Sequence, residues 1–234
     1  EISARMAVTF DSQKTLRAKL TSAIKMLDAG NVKPLESQGV FLAPAATEEE
    51  KKLAFCLPGQ GTHYIGMGRT FYDSVPVFCE TVDRVHDLAM KAFKFDLKGH
   101  IFGNPEDERL QKELGTLVGA QTALFAVELA TARMIMEKEG ILPDVMIGHS
   151  FGEISALTIS GVWDLETAYE AVKARIRAAE TIKSSGGPEL GMMSLICADS
   201  QRDAILSLVG DKVVLTNINA PGRFVLAGEK DAVK

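Results

Sequence analysis

The chain has 234 residues, 46% of them hydrophobic and 24% charged, with a net charge of −5. That is enough for one large domain or one and a half smaller ones around an ordinary apolar core. The acidic balance argues against a general nucleic-acid binder, which shows a basic patch or stripe, and no apolar run approaches the roughly 20 residues that span a bilayer.

The chain opens on Glu1 with no signal peptide, which reads as a piece excised from a longer polypeptide. Cys56, Cys79 and Cys197 are odd in number and scattered. They show no metal spacing, so no metal site is expected and a reduced, cytoplasmic setting is. Residues 5–10 predict a short strand, and Asp11 or Ser12 a helix cap. Leu16, Leu20, Ile24 and Leu27 fall on one face of the helix that follows, and Gly30 stops it. Val40-Phe41-Leu42 predicts a second strand. Thr47 to Lys52 is a solvated, charged connector. Residues 1–50 therefore read as a small βα unit outside the main domain.

A second unit, 51–187, begins with Leu53 to Leu57, a buried-type strand broken by Pro58-Gly59-Gln60-Gly61. Helical patterning covers Val75 to about Phe93 and Ala120 to Glu139. Val145-Met146-Ile147 predicts a strand and Glu153 to Ile159 a helix. Asp164 caps a further helix reaching about Lys183. Strands alternating with helices imply an α/β fold, a parallel sheet covered on both faces. From Pro188 the rhythm changes. Gly191 to Cys197, Val213 to Ile218 and Phe224 to Ala227 predict strands. Ser200 to Val209 predicts a helix, and Lys230 opens another. That is a ferredoxin-like split βαβ over 188–234, expected to be truncated before its last strand.

Gly148-His149-Ser150-Phe151-Gly152, between a strand and a helix, has the form of a nucleophile elbow. Such a turn is sharp enough to need glycine, and it lifts the serine hydroxyl to a helix head that favours negative charge. Serine needs a base, yet no histidine follows Ser150. The base therefore lies upstream, with His63 the nearest suspect, or beyond Lys234. Gly59-Gln60-Gly61 also follows a strand directly, where ligands bind in such sheets.

Taken together, these motifs resemble the malonyl-CoA:acyl carrier protein transacylases, above all the acyltransferase domains of polyketide and fatty acid synthases. Leu57 to Gly61 and Gly148 to Glu153 carry the resemblance. Gly119-Ala120-Gln121-Thr122-Ala123-Leu124, Leu142 to Ser150 and Asn217-Ile218-Asn219-Ala220-Pro221 extend it across residues 53–234. Residues 1–50 resemble the adaptor that joins a ketosynthase to an acyltransferase.

The resemblance implies a ping-pong transfer of a malonyl-type unit from a coenzyme A thioester to the phosphopantetheine arm of an acyl carrier protein. It implies no bound cofactor, and a neighbouring ketosynthase as partner. Ser150 would carry the acyl ester, and the N–H groups of Gln60 and Phe151 would form the oxyanion hole. Arg175, 25 residues after Ser150, would grip the free carboxylate, with Gln121 and His149 lining the pocket. Arg177, about 200° away on the helix, reads as a solvated surface arginine. The bulk of Phe151 points to unsubstituted malonyl. The family's base is a histidine placed after the small subdomain, so this chain is expected to be inactive as it stands. Two other readings stay open: a patatin-like serine lipid hydrolase, although no Asp-Gly pair is present, and a non-catalytic docking fragment of a synthase.

Overall fold

A computed structural model describes residues 4–30, 33–44 and 52–233. All of the predicted charged connector but Lys52 lies outside them. The chain divides into two compact units, residues 1–55 with 142–145 and residues 56–141 with 146–234.

In the first unit β1 (Ala4–Val8) leads to α1 (Gln13–Asp28), a 3-10 turn and β2 (Val40–Pro44). Ser12 is the cap: its hydroxyl accepts from the Thr15 amide at 3.2 Å, and the Thr15 hydroxyl accepts from the Ser12 amide at 3.0 Å. This reciprocal pairing satisfies two otherwise orphaned donors. β1 and β2 pair antiparallel, with Val8 opposite Val40. The buried stripe of α1 runs through Ala23 and Met26, which pack with Leu35, Val40, Val8 and Leu42. Ile24 and Leu27, expected on the inner face, are 61% and 46% exposed. Each lies 100° round the helix from a residue of that stripe, and a two-stranded ribbon covers only a narrow stripe.

β3 (Ala54–Leu57) and β4 (Val145–Gly148) form a two-stranded sheet. Its hydrogen bonds run from Asp144 N to Leu53 O at 2.8 Å and from His149 N to Leu57 O at 2.9 Å. Both partners advance together, so the pair is parallel. The fold is the expected α/β type, but its strands are less buried than their composition suggests. Leu57 is buried, whereas Val145 and Ile147 are 49% and 54% exposed. With two strands in this sheet among the described residues, neither strand is sandwiched as an apolar run predicts.

The helices of the second unit are α2 (Arg69–Ser74), α3 (Pro76–Phe93), α4 (Leu97–Ile101), α5 (Glu108–Leu114), α6 (Leu117–Arg133), α7 (Gly152–Ile159) and α8 (Leu165–Ser184). A π-helical turn, Met134–Lys138, extends α6. Pro76 occupies the first turn of α3, where its missing N–H costs nothing. Thr116 caps α6 through the Gly119 amide, and Asp164 caps α8 through the Thr167 amide. α6 is apolar nearly all round and is buried accordingly. Phe125 and Leu129 of α6 pack with Phe78 and Val82 of α3, with Phe151, and with Tyr169 and Val172 of α8.

The last stretch is β5 (Leu190–Ile196), α9 (Asp199–Val209), β6 (Val213–Ala220), β7 (Arg223–Glu229) and α10 (Lys230–Val233). The strand order is β5-β7-β6, antiparallel throughout, with bulges between Leu215 and Asn217 and between Ile218 and Ala220. The third strand lies between the first two, as a split βαβ requires. Val213, Leu226 and Val233 form its core with side chains of α9.

Candidate active site

Leu57-Pro58-Gly59-Gln60-Gly61 and Gly148 to Gly152 are far apart in sequence and adjacent in space. The turn between β4 and α7 forces Ser150 to φ 54°. Among the described residues only Lys94 shares a left-handed conformation without being glycine. Such backbone costs on the order of 1–3 kcal/mol and persists where the surroundings impose it. Here three glycines impose it. A side chain at Gly152 would stand 2.6 Å from the Pro58 carbonyl oxygen, and one at Gly148 would stand 2.6 Å from the Gly152 carbonyl carbon. A side chain at Gly59 would meet the His149 carbonyl oxygen at 2.9 Å and Ser150 Cβ at 3.2 Å. The two loops therefore touch through their glycines.

Ser150 is exposed, while Phe151 beside it is 0% exposed and part of the core. The first turn of α7 spends its amides locally. Gly152 N donates to His149 O at 3.0 Å, and Glu153 N donates to Ser150 O at 3.2 Å. The amides of Phe151 and Gln60 donate no hydrogen bond among the described residues. The Phe151 amide thus stands free beside the serine at the positive head of α7, where an anion is favoured, and the Gln60 amide is free in the loop whose Gly59 touches the elbow.

Gln121 is buried, and its Nε2 donates to Gln60 Oε1 at 3.3 Å. It holds the glycine loop from behind. Its Oε1 is buried without a partner. The His149 ring is tied to the small sheet: its Nε2 lies 2.9 Å from Asn219 Oδ1 on β6. His63 has an unpartnered, buried Nδ1, and burial holds its pKa below the usual histidine value. It lines a cavity of ≈ 300 Å³ with Tyr64, Ile65, Pro105, Gln111 and Leu114. No histidine among the described residues hydrogen-bonds the Ser150 hydroxyl.

Arg175 is exposed on α8 and makes no ion pair among the described residues. Arg177, on a different face, acts electrostatically on Glu170, whose carboxylate Lys173 binds at 2.6 Å. Both arginines are exposed; Arg175 has no ion pair among the described residues and Arg177 stands in a surface charge cluster. The expectation drawn from Phe151 is corrected. Its ring is wholly within the core, so its bulk walls no acyl pocket and says nothing about the extender unit.

Sequence reasoning missed the contact between His149 and Asn219. Asn219 was visible only as part of a resemblance, because a cross-chain hydrogen bond leaves no periodic trace. It also missed Glu128 of α6, whose carboxylate oxygens are sealed, and Ser155 of α7, which is buried. An acid in the middle of the apolar run from Ala120 to Ala130 was the available signal for Glu128.

Among the described residues no single helix is long and apolar enough to cross a membrane. Residues 54–234 match the acyl transferase domain family. Over 182 residues the chain is 35% identical to a phenolphthiocerol synthesis polyketide synthase type I, Pks15/1, of Mycobacterium marinum, covering 78% of this chain and 8% of that protein. The acyltransferase domain from the second module of the salinomycin polyketide synthase superimposes with a TM-score of 0.71 at 33% identity. That match covers 99% of this chain and 50% of the solved one. A malonyl-transacylase solved in complex with its type II polyketide synthase acyl-carrier protein gives 0.66 at 31% identity, over 78% of this chain and 57% of that one. The chain thus spans about half the length of these solved relatives and a small part of the synthase. With the elbow, the glycine loop beside it and a match over residues 54–234, the chain belongs to the acyl transferase domain family of polyketide synthases and malonyl-CoA:acyl carrier protein transacylases.

Proposed function

We propose that this chain carries the serine, and part of the pocket, of an acyltransferase that moves a malonyl-type unit from coenzyme A to an acyl carrier protein. The observation that supports this most is Ser150 itself: exposed, held at φ 54°, and touched by the Gly59 loop. In this reading the Ser150 Oγ attacks the thioester carbonyl. The tetrahedral oxyanion is met by the Phe151 and Gln60 amides, both free of other bonds. Donors of that kind are worth roughly 3–4 kcal/mol each when measured by removal. The thiolate of coenzyme A leaves, and the thiol of the carrier's phosphopantetheine arm then takes the acyl group from Ser150.

Arg175 grips the free carboxylate of the acyl unit in this proposal. A planar guanidinium matches a carboxylate bidentately, and Arg175 has no competing ion pair, whereas Arg177 has acidic company. Gln121 shapes the site by holding Gln60. His149 belongs to the pocket rather than to proton transfer, since its Nε2 is spent on Asn219. We read residues 1–50 as an adaptor toward a ketosynthase, 51–187 as the acyltransferase core, and 188–234 as the small subdomain.

The test is acylation. Intact-protein mass spectrometry of the complete domain, carried past Lys234 to the next histidine, is expected to show one malonyl adduct after incubation with malonyl-CoA. An equal adduct on Ser150→Ala overturns the assignment.

A further inference from the structure

Glu128 lies two turns beyond Gln121 on the same face of α6. Both of its carboxylate oxygens are sealed from solvent, and among the described residues neither has a hydrogen-bond partner. Across the contact between α6 and α7, the Ser155 hydroxyl is buried in the same condition. The two groups lie close enough for the hydroxyl to temper the acid, short of full hydrogen-bond geometry. Burial, the larger effect, pushes the Glu128 pKa up to about 7, and Ser155 holds it down.

Among the described residues no ion pair offsets this acid. Arg133 of α6 is bound to Glu137 and to Thr81 of α3. His100 of α4 is bound to Glu113 of α5, and His86 of α3 faces Asp96. Glu153 of α7 and both Arg175 and Arg177 of α8 are exposed. A carboxyl here costs stability that an apolar side chain would not, and Phe125 and Leu129 nearby show that the seam accepts apolar groups. Packing alone gives no reason for it.

Resting on the reading of Ser150 as nucleophile, we propose that Glu128 is a positioning residue: its carboxyl, sealed beside Ser155, closes the seam between α6 and α7, clamps the two helices together and so fixes the elbow. Ser155 sits in the first turn of α7, five residues after Ser150, so movement there is passed directly to the nucleophile. When the carboxyl gives its proton to solvent, an unpaired charge is left in the seam. The seam then admits water and α7 loosens.

The experiment is amide hydrogen exchange of residues 152–159, as protection factors against pH, on the chain as it stands. Opening the seam returns Glu128 to its ordinary pKa near 4.5, against about 7 when closed. Protection of α7 is therefore expected to fall about tenfold per pH unit between those values and to level above them. Glu128→Gln is expected to show no such slope. Ser155→Ala, which removes the group that lowers the pKa, is expected to extend the slope to higher pH. Parallel profiles for wild type and Glu128→Gln overturn the proposal. If Glu128→Gln does not fold, an unmoved slope in Ser155→Ala overturns it instead. Malonylation of Ser150, followed in parallel on the complete domain carried past Lys234 to the next histidine, separates the two ideas. A flat wild-type profile with Ser150 labelled sinks the clamp alone. The expected slope with Ser150 unlabelled sinks the nucleophile, and with it the clamp's place in the reaction.

Discussion

His149 Nε2 lies 2.9 Å from Asn219 Oδ1, which ties the residue before the nucleophile to β6 of the split βαβ. The bond crosses 70 residues of sequence and ends where β6 is bulged, between Ile218 and Ala220. A bulge re-aims side chains, and here it accompanies the asparagine that reaches the elbow. Asn219→Ala is expected to cost about 1 kcal/mol, seen as a lower thermal midpoint. It is also expected to slow Ser150 acylation several-fold. An unchanged acylation rate would show that the elbow does not depend on β6.

The glycines of the two loops differ in what they tolerate. Gly59→Ala brings a methyl within 2.9 Å of the His149 carbonyl oxygen and 3.2 Å of Ser150 Cβ. The loop must shift, so acylation is expected to fall at least about tenfold for a stability loss of roughly 1–2 kcal/mol. Gly152→Ala collides with the Leu57 and Pro58 carbonyls, which are backbone and cannot swing aside. It is expected to destabilise more than Gly59→Ala in urea unfolding.

Ser150 bears backbone strain that glycine would not. Ser150→Gly relieves about 1–2 kcal/mol of left-handed strain and loses roughly 0.5–1 kcal/mol to the freer unfolded chain. The glycine variant is expected to melt slightly above wild type and clearly above Ser150→Ala, with no malonyl adduct in either. An alanine variant as stable as the glycine one would mean that the elbow is not strained.

Stability is expected to depend on pH through Glu128. Its folded pKa, about 7, lies above its ordinary value of 4.5. Between these values the folded chain holds a proton that the unfolded chain has lost, so stability falls as pH rises and levels above about 7. The full loss is on the order of 3 kcal/mol. Denaturant unfolding of wild type and Glu128→Gln across that window checks it, the variant keeping the stability that wild type loses.

Arg175→Ala is expected to lose malonyl transfer and gain relative activity with acetyl-CoA, because the carboxylate loses its partner. Arg177→Ala is expected to change neither by more than about twofold, as surface ion pairs are weak. The reverse result would place the wrong helix face toward the substrate. Competition between the two thioesters in one assay reads the difference.

The longer elements were legible in the sequence because α3 and α8 carry apolar periodicity over many turns, α6 is one long apolar run, and Asp164 and Ser12 announce their helices. α4 and α5 were not, because five to seven residues give too little periodicity to detect. Their caps, Asp96 and Asp107, were the only local marks. The elbow was legible because its glycines answer a local need. The orientation of Phe151 was not. A side chain beside a nucleophile can face the pocket or the core, and adjacency in sequence does not decide which. Glu128 was hidden for a similar reason. Burial of one acid is set by neighbours from distant segments, which no window of sequence contains.

Phe151 gives the site a property that belongs to the whole domain. Its backbone follows Ser150 directly while its ring sits among the side chains of α3, α6 and α8. One residue is therefore both the neighbour of the proposed nucleophile and a keystone of the interior. Anything that loosens the interior, such as heat, denaturant or a cavity made at Phe125 or Tyr169, reaches the nucleophile without passing through a flexible loop. Loss of acylation should then track global unfolding, leaving no temperature range in which the fold persists and the serine is idle. Evolution has correspondingly little room at Phe151: new acyl preferences must come from other residues, because this ring is anchored in the core.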